Sequence, residues 1–192
     1  MMNLREGCFL YHGSYIDIPE IDLTQCRSGL DFGKGFYLTS SFEQARNYVR
    51  LSVAKAKRMG IIPEQFSFED GQISVYQFHY DPNLLIHYFP EANEEWLHFV
   101  AANRSLHLFF GLLRKYQTTD IIVGKIADDQ TARTLQQYTR EYFGIPGTKE
   151  ADEAAIRQLL PDRLQDQLCF RTEDAIHNLH FIRSERYGDT NR

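Results

Sequence analysis

Residues 29–39 read Gly-Leu-Asp-Phe-Gly-Lys-Gly-Phe-Tyr-Leu-Thr (GLDFGKGFYLT). Two glycines bracket a lysine just ahead of an aromatic, β-rich run, behind an acidic turn that looks exposed. Such a glycine pair turns the backbone tightly or lets another group approach it. It lacks the third glycine of a dinucleotide fingerprint and leads into a strand rather than opening a helix, so the phosphate-loop reading fails on context. The run GFYLT predicts a strand, and Ser40 or Ser41 caps a helix from Phe42 to about Met59. Phe42, Ala45, Val49, Val53 and Ala56 keep helical spacing along it, and Gly60 ends it.

On the N-terminal side, CFLYHGS reads as a first strand ending at Gly13-Ser14, which sets His12 at a strand end. On the C-terminal side, GQISVYQFHYD alternates as a strand, EANEEWLHFVAANR is a helix behind Pro90, and TDIIVGKIADD is a buried strand. Helices follow over Thr131–Phe143 and Glu150–Leu160, separated by GIPGT. DQLCFRT and LHFIRSERY are the last strands, with a helical turn at EDAIHN between them. Strands interrupted by helices without regular βαβ alternation predict an α+β fold, in one domain over residues 1–192.

A net charge of -5 argues against an extended basic surface, though it leaves room for a local basic groove. Cys8, Cys26 and Cys169 fit neither a disulfide framework nor a zinc site and read as idle thiols in a reducing compartment. The start of the chain has no long apolar run, and no later stretch is long enough to span a bilayer, so the expectation is a cytoplasmic protein. His79, His87, His98 and His107 form no ligand spacing such as HExxH, which predicts no metal. Asp128-Asp129 reads as a turn and helix cap before Thr131.

Taken together, His12-Gly13-Ser14, Gly33-Lys34-Gly35-Phe36-Tyr37-Leu38 and Tyr48 on the following helix resemble the ADP-ribosyltransferase superfamily. The likeness is to its diphtheria-toxin and poly(ADP-ribose)-polymerase branch, with the His-Tyr-Glu signature. EWLHFVAANR and TDIIVGKIADD further resemble landmarks of an uncharacterised bacterial domain family in that clan. The resemblance implies an ADP-ribosyltransferase-like split β-sheet core with flanking helices. It also implies NAD as substrate and transfer of one ADP-ribose to an acceptor, as in a toxin, a defence component or a housekeeping modifier.

On that reading the Gly13 backbone offers the nicotinamide carboxamide one donor and one acceptor, with Ser14 assisting. Tyr37 and Tyr48 hold the ring between two aromatic faces, and Gly35 permits that pose. His12 donates to an adenosine-ribose hydroxyl, Lys34 is a candidate phosphate contact, and Asn103-Arg104 reaches an NAD phosphate or the acceptor. For Asn103-Arg104 a solvated helix face or an internal salt bridge is the cheaper alternative.

The third signature position departs from the branch. Where the branch has glutamate, this chain has Gln167, and the nearby carboxylates are Asp166, facing the other side of the strand, and Glu173 beyond it. Hydrogen bonds to charged groups contribute roughly 1.5–3 kcal/mol against about 1 for neutral ones, so the exchange costs about one or two decades in rate. Three readings follow: a mono-ADP-ribosyltransferase with His12, Tyr37 and Gln167 catalytic, a binding module for NAD, ADP-ribose or a protein, and an enzyme moving a 2'-phosphate from RNA to NAD. The last predicts arginine clusters that the acidic balance disfavours. The acceptor is open among protein, nucleic acid and small molecule.

Overall fold

A computed structural model describes residues 4–105, 107–125, 129–159 and 165–191. Strands β1 (Phe9–Ser14), β3 (Gln72–Phe78) and β7 (Leu179–Arg186) make an antiparallel sheet in the order β1-β3-β7. Strands β2 (Phe36–Leu38), β6 (Asp166–Phe170), β5 (Ile121–Lys125) and β4 (Ile86–Tyr88) make a second, in the order β2-β6-β5-β4, with only β4 and β5 parallel. The mixed α+β class is as expected.

The two sheets meet edge to edge at one point. Tyr11 and Thr39 exchange backbone hydrogen bonds of 2.8 and 3.0 Å, and this bridge is isolated. Behind it the sheets close over a shared core, in which Leu10, Tyr76 and Phe78 of the first meet Phe36, Leu38, Leu168 and Phe170 of the second.

Helix α1 (Phe42–Arg58) covers the outer face of the first sheet. Ser41 accepts a hydrogen bond from the Gln44 N–H as its N-cap, and Ala45, Val49, Val53 and Ala56 form the buried stripe. Its end is a Schellman turn, with Gly60 at φ +67° and the Ile61 N–H returning to the Ala56 carbonyl.

Helices α2 (Glu94–Arg104), α3 (Asp129–Thr139) and α4 (Lys149–Leu159) cover the outer face of the second sheet. Helix α2 is buried almost all round through Trp96, Leu97, Phe99, Val100, Ala101 and Ala102, so it is the centre of that layer. Helix α5 (Glu173–His177) is capped by Thr172, which accepts from the Ala175 N–H, and Glu173 is its first residue.

One expectation changes. Helix α3 stops at Thr139 rather than Phe143, because Glu141 takes a left-handed φ of +63° and the Tyr142 N–H turns back to the Gln137 carbonyl. Strand β4 lies in a stretch for which no element was predicted. The Asp128-Asp129 cap cannot be followed, since Asp128 and the Asp129 side chain lie outside the described residues. No described helix is long and apolar enough to cross a membrane.

Candidate functional site

The Tyr11–Thr39 bridge fixes what lies around it. Its antiparallel register sets Gly13 across from Tyr37, but the backbones do not pair there. Because strand groups alternate in direction, the Gly13 N–H and C=O point the same way as those of Tyr11, toward the gap between the sheets. Gly13 also lacks a side chain for a reason unrelated to a ligand. A Cβ there would lie 1.9 Å from the Ala45 carbonyl oxygen, so the glycine lets α1 lie directly on β1. Ser14, next in the strand, is only 5% exposed.

His12 spans the gap. Its Nδ1 lies 2.7 Å from the Tyr37 carbonyl oxygen, and since a carbonyl only accepts, Nδ1 carries the proton. The ring stacks on Phe36 at 4.6 Å. Burial holds its pKa below the ordinary histidine value, outweighing the hydrogen bond to Tyr37. The imidazole is therefore neutral at pH 7, and Nε2 is an acceptor. The expected donation from His12 to a ribose hydroxyl reverses: the hydroxyl would donate to Nε2.

That pKa shift has a stability consequence. An unfolded histidine takes up a proton near pH 6.5 and the folded one resists it, so this contribution is present above about pH 6.5 and declines as pH falls below it. The urea midpoint is expected to fall between pH 7.5 and 5.5, and His12→Gln should make the fall smaller. An equal fall in both proteins would remove His12 as its cause.

On the other face of β2, Tyr37 is fastened by its hydroxyl. That group donates to the Gly33 carbonyl at 2.8 Å and accepts from the Phe32 N–H at 2.9 Å, closing the turn that Gly33 enters at φ +81°. Burial pushes the hydroxyl pKa far above its usual range. Beneath it Cys169 is buried, its thiol pushed up to about 12, and inert as a nucleophile at neutral pH. Gly35 makes room for that layer, since a Cβ would lie 2.5 Å from Cys169 Sγ and 2.6 Å from the Phe170 carbonyl oxygen.

The register that pairs Leu38 with Leu168 sets Thr39 beside Gln167, on the face shared by Tyr37 and Cys169. Gln167 is 7% exposed, and its Nε2 donates to Asp31 Oδ2 at 3.2 Å. Arg104, the last residue of α2, closes the cluster, reaching Asp31 Oδ1 with Nε at 2.6 Å and Nη2 at 2.5 Å. Asp31, expected to be exposed, is thus a buried carboxylate between Arg104 and Gln167. Since a carboxylate only accepts, it holds the Gln167 amide with the nitrogen inward and leaves Oε1 for another donor.

Tyr48 completes the surroundings from α1. Burial raises its hydroxyl pKa, with Arg27 opposing and Asp31 adding, although 45% of the residue is exposed.

Gln167 and Arg104 therefore meet at Asp31, Tyr37 shares the face of Gln167, Gly13 and His12 stand across the gap, and Tyr48, on α1, is near enough to Asp31 to feel its charge. Lys34 does not join them. It lines a separate cavity of about 330 Å³ with Thr24, Gln117 and Arg171. Asp166 faces away, as expected, and pairs with Lys125 at 2.9 Å. Asp31 was missed because its partners are 73 and 136 residues away in sequence, beyond any local pattern.

Among the described residues two histidines meet carboxylates: His79 Nδ1 lies 3.0 Å from Glu6 Oε1, and His98 stands in a larger cluster. Glu94, His98 and Asp152 bring ligand atoms within 4.8 Å of one another. His98 Nε2 and Asp152 Oδ2 are 2.7 Å apart, and Asp152 Oδ1 accepts from the Tyr138 hydroxyl and, at 3.1 Å, from the Gly147 N–H. These bonds tie α2, α3 and α4 together.

A family model described as a protein of unknown function, DUF3990, matches residues 8–181. No curated protein and no solved structure matches the chain.

Proposed function

The chain belongs to the DUF3990 family, and we propose that it is an NAD-dependent mono-ADP-ribosyltransferase acting at the gap between its two sheets. The observation that carries this reading is the convergence of a free-facing Gly13 backbone, an aromatic Tyr37 and the oriented Gln167 amide around one opening. These are the groups that a nicotinamide ribose requires.

In this reading nicotinamide lies between Tyr37 and Tyr48, its carboxamide on the Gly13 N–H and C=O. The ribose 2'-hydroxyl donates to Gln167 Oε1, and His12 Nε2 accepts from the adenosine ribose. Asp31 is a positioning residue: it fixes the amide so that an acceptor faces the sugar. Its charge, partly offset by Arg104, opposes the positive charge of the oxocarbenium-like centre formed as nicotinamide departs. Groups fixed before reaction lower the barrier without reorganising.

A second reading draws on the same cluster. With an amide at the third position and Asp31 already paired to Arg104, the gap would bind NAD or ADP-ribose without cleaving it. Calorimetry with NAD beside an assay for released nicotinamide separates the two. Heat of binding with release that is lost in Tyr37→Ala is expected of the enzyme. Heat of binding without release supports the binding module, and neither signal removes both readings.

A further inference from the structure

The acidic balance of the chain hides one strongly basic feature. A groove of about 760 Å³ runs along α3, lined by Gly29, Arg104, Ser105, Arg133, Gln136 and Arg140 among others. Arg133 on α3 and Arg140, the residue that follows its end, are seven residues apart, about two helical turns or 10 Å, and both line this groove. Both are exposed and neither is paired with a carboxylate among the described residues. Arg104 forms the inner end of the row, where it meets Asp31. The carboxylate nearest the groove floor is thus already taken up.

Two large aromatic side chains are exposed in the chain segments that continue from the groove-lining residues Ser105 and Arg140. Phe110, in the turn that follows Ser105, is 90% exposed, and Tyr142, just past α3, is 77% exposed. The Phe110 turn packs against the segment that leads from Tyr142 into α4, since a Cβ on Gly147 would come 3.1 Å from Phe109. Nothing in the fold's own packing uses these two rings so fully exposed. A row of guanidinium groups, with exposed rings in the adjoining turns, suits a strand with phosphates at regular intervals and flat bases to stack. An acidic or phosphorylated peptide would use the arginines and leave the rings idle.

We propose that this groove binds single-stranded nucleic acid and that the bound strand is the ADP-ribose acceptor, an inference resting on the transferase reading for its second half. In the transfer, the C1'–N bond of the nicotinamide ribose breaks and its electron pair leaves with neutral nicotinamide. A nitrogen or oxygen of the strand forms the new bond to C1', and the proton it carried passes to solvent.

The test uses the full chain, a fluorescent 12-nucleotide single strand as DNA and as RNA, and labelled NAD. Wild type is expected to bind one or both strands at 50 mM salt, with affinity falling as salt rises. Arg133→Glu/Arg140→Glu should weaken binding at least tenfold and reduce the slope of log affinity against log salt by about 1.4, two contacts at about 0.7 each. Phe110→Ala/Tyr142→Ala should weaken it with the slope kept. Label should enter the strand with wild type and not with the arginine variant, whose nicotinamide release without acceptor stays at the wild-type rate.

No binding to either strand, or binding that the arginine variant leaves unchanged, overturns the proposal. Binding that heparin matches and the aromatic variant leaves unchanged reduces the groove to a general polyanion site and overturns it too. Strand binding without nicotinamide release removes the transferase reading and the acceptor role but keeps the site. Nicotinamide release without strand binding or label does the reverse.

Discussion

Gly13→Ala is expected to destabilise the protein by about 3 kcal/mol or more, above the usual cost of one added methyl group in a packed core. The reason is what the methyl would meet. The nearest atoms are the Ala45 carbonyl oxygen at 1.9 Å and its carbon at 2.9 Å, which are backbone of α1 and cannot rotate aside. Relief requires moving the helix off the sheet, and with it the Val49 and Val53 stripe that fills the outer core. Moving β1 would instead strain the Tyr11–Thr39 bridge that aligns the two sheets. Denaturant unfolding of the variant measures the loss. A change under 1 kcal/mol would mean that α1 does not sit on Gly13 as described.

Asp31→Ala should cost about 2–4 kcal/mol, since removing one partner of a buried ion pair strands the other. The estimate lies below the full buried-pair range because 27% of the Arg104 side chain remains exposed and can find water, against 8% for Asp31. Asp31→Asn separates the roles. It preserves volume and one hydrogen bond, so stability should recover in part. But an asparagine can donate or accept, and the Gln167 amide loses the group that fixes its orientation. Nicotinamide release by Asp31→Asn is therefore expected to fall about tenfold or more, the size of one charged hydrogen bond, while stability falls by less than in Asp31→Ala. Full activity in a folded Asp31→Asn protein would leave Asp31 a structural residue only.

Much of this architecture was legible locally. The α1 stripe, its serine cap and its glycine stop all lie within the helix itself, and the helix ends at Arg58, next to the expected position. Buried strands such as β5 announce themselves by runs of β-branched residues. Strand β4 did not, because three residues, Ile86–Tyr88, are too short to show a period and are held by pairing with β5. The left-handed Glu141 that ends α3 is equally silent in sequence, since glutamate has no preference for that conformation.

The candidate site divides the same way. His12, Gly13, Tyr37 and Tyr48 were identified as a set from their order in the chain; the fold sets the first three on the two sides of one gap, and Tyr48 is on α1. The state of His12 was not readable, because its tautomer depends on the Tyr37 carbonyl 25 residues away. Lys34 and Asp31 exchange importance for a related reason. Both lie in GLDFGKGFYLT, but the turn sends Asp31 inward to Arg104 and Gln167 and Lys34 to the opposite cavity. Residue type alone favours the reverse, a solvated aspartate and a ligand-binding lysine. Glu94 and His98 are spaced four apart on α2, but their meeting with Asp152 needs the packing of α2 on α4.

The decisive measurement is nicotinamide release from NAD by purified wild-type chain and by Gln167→Ala, side by side, with circular dichroism to confirm that both are folded. Loss of the amide assigned to the ribose hydroxyl is expected to leave the fold intact and to lower release about fivefold to tenfold, the size of one neutral hydrogen bond of about 1 kcal/mol. Equal release by the two proteins would contradict the assignment of Gln167 and of the gap it faces. No release by folded wild type would contradict the transferase itself.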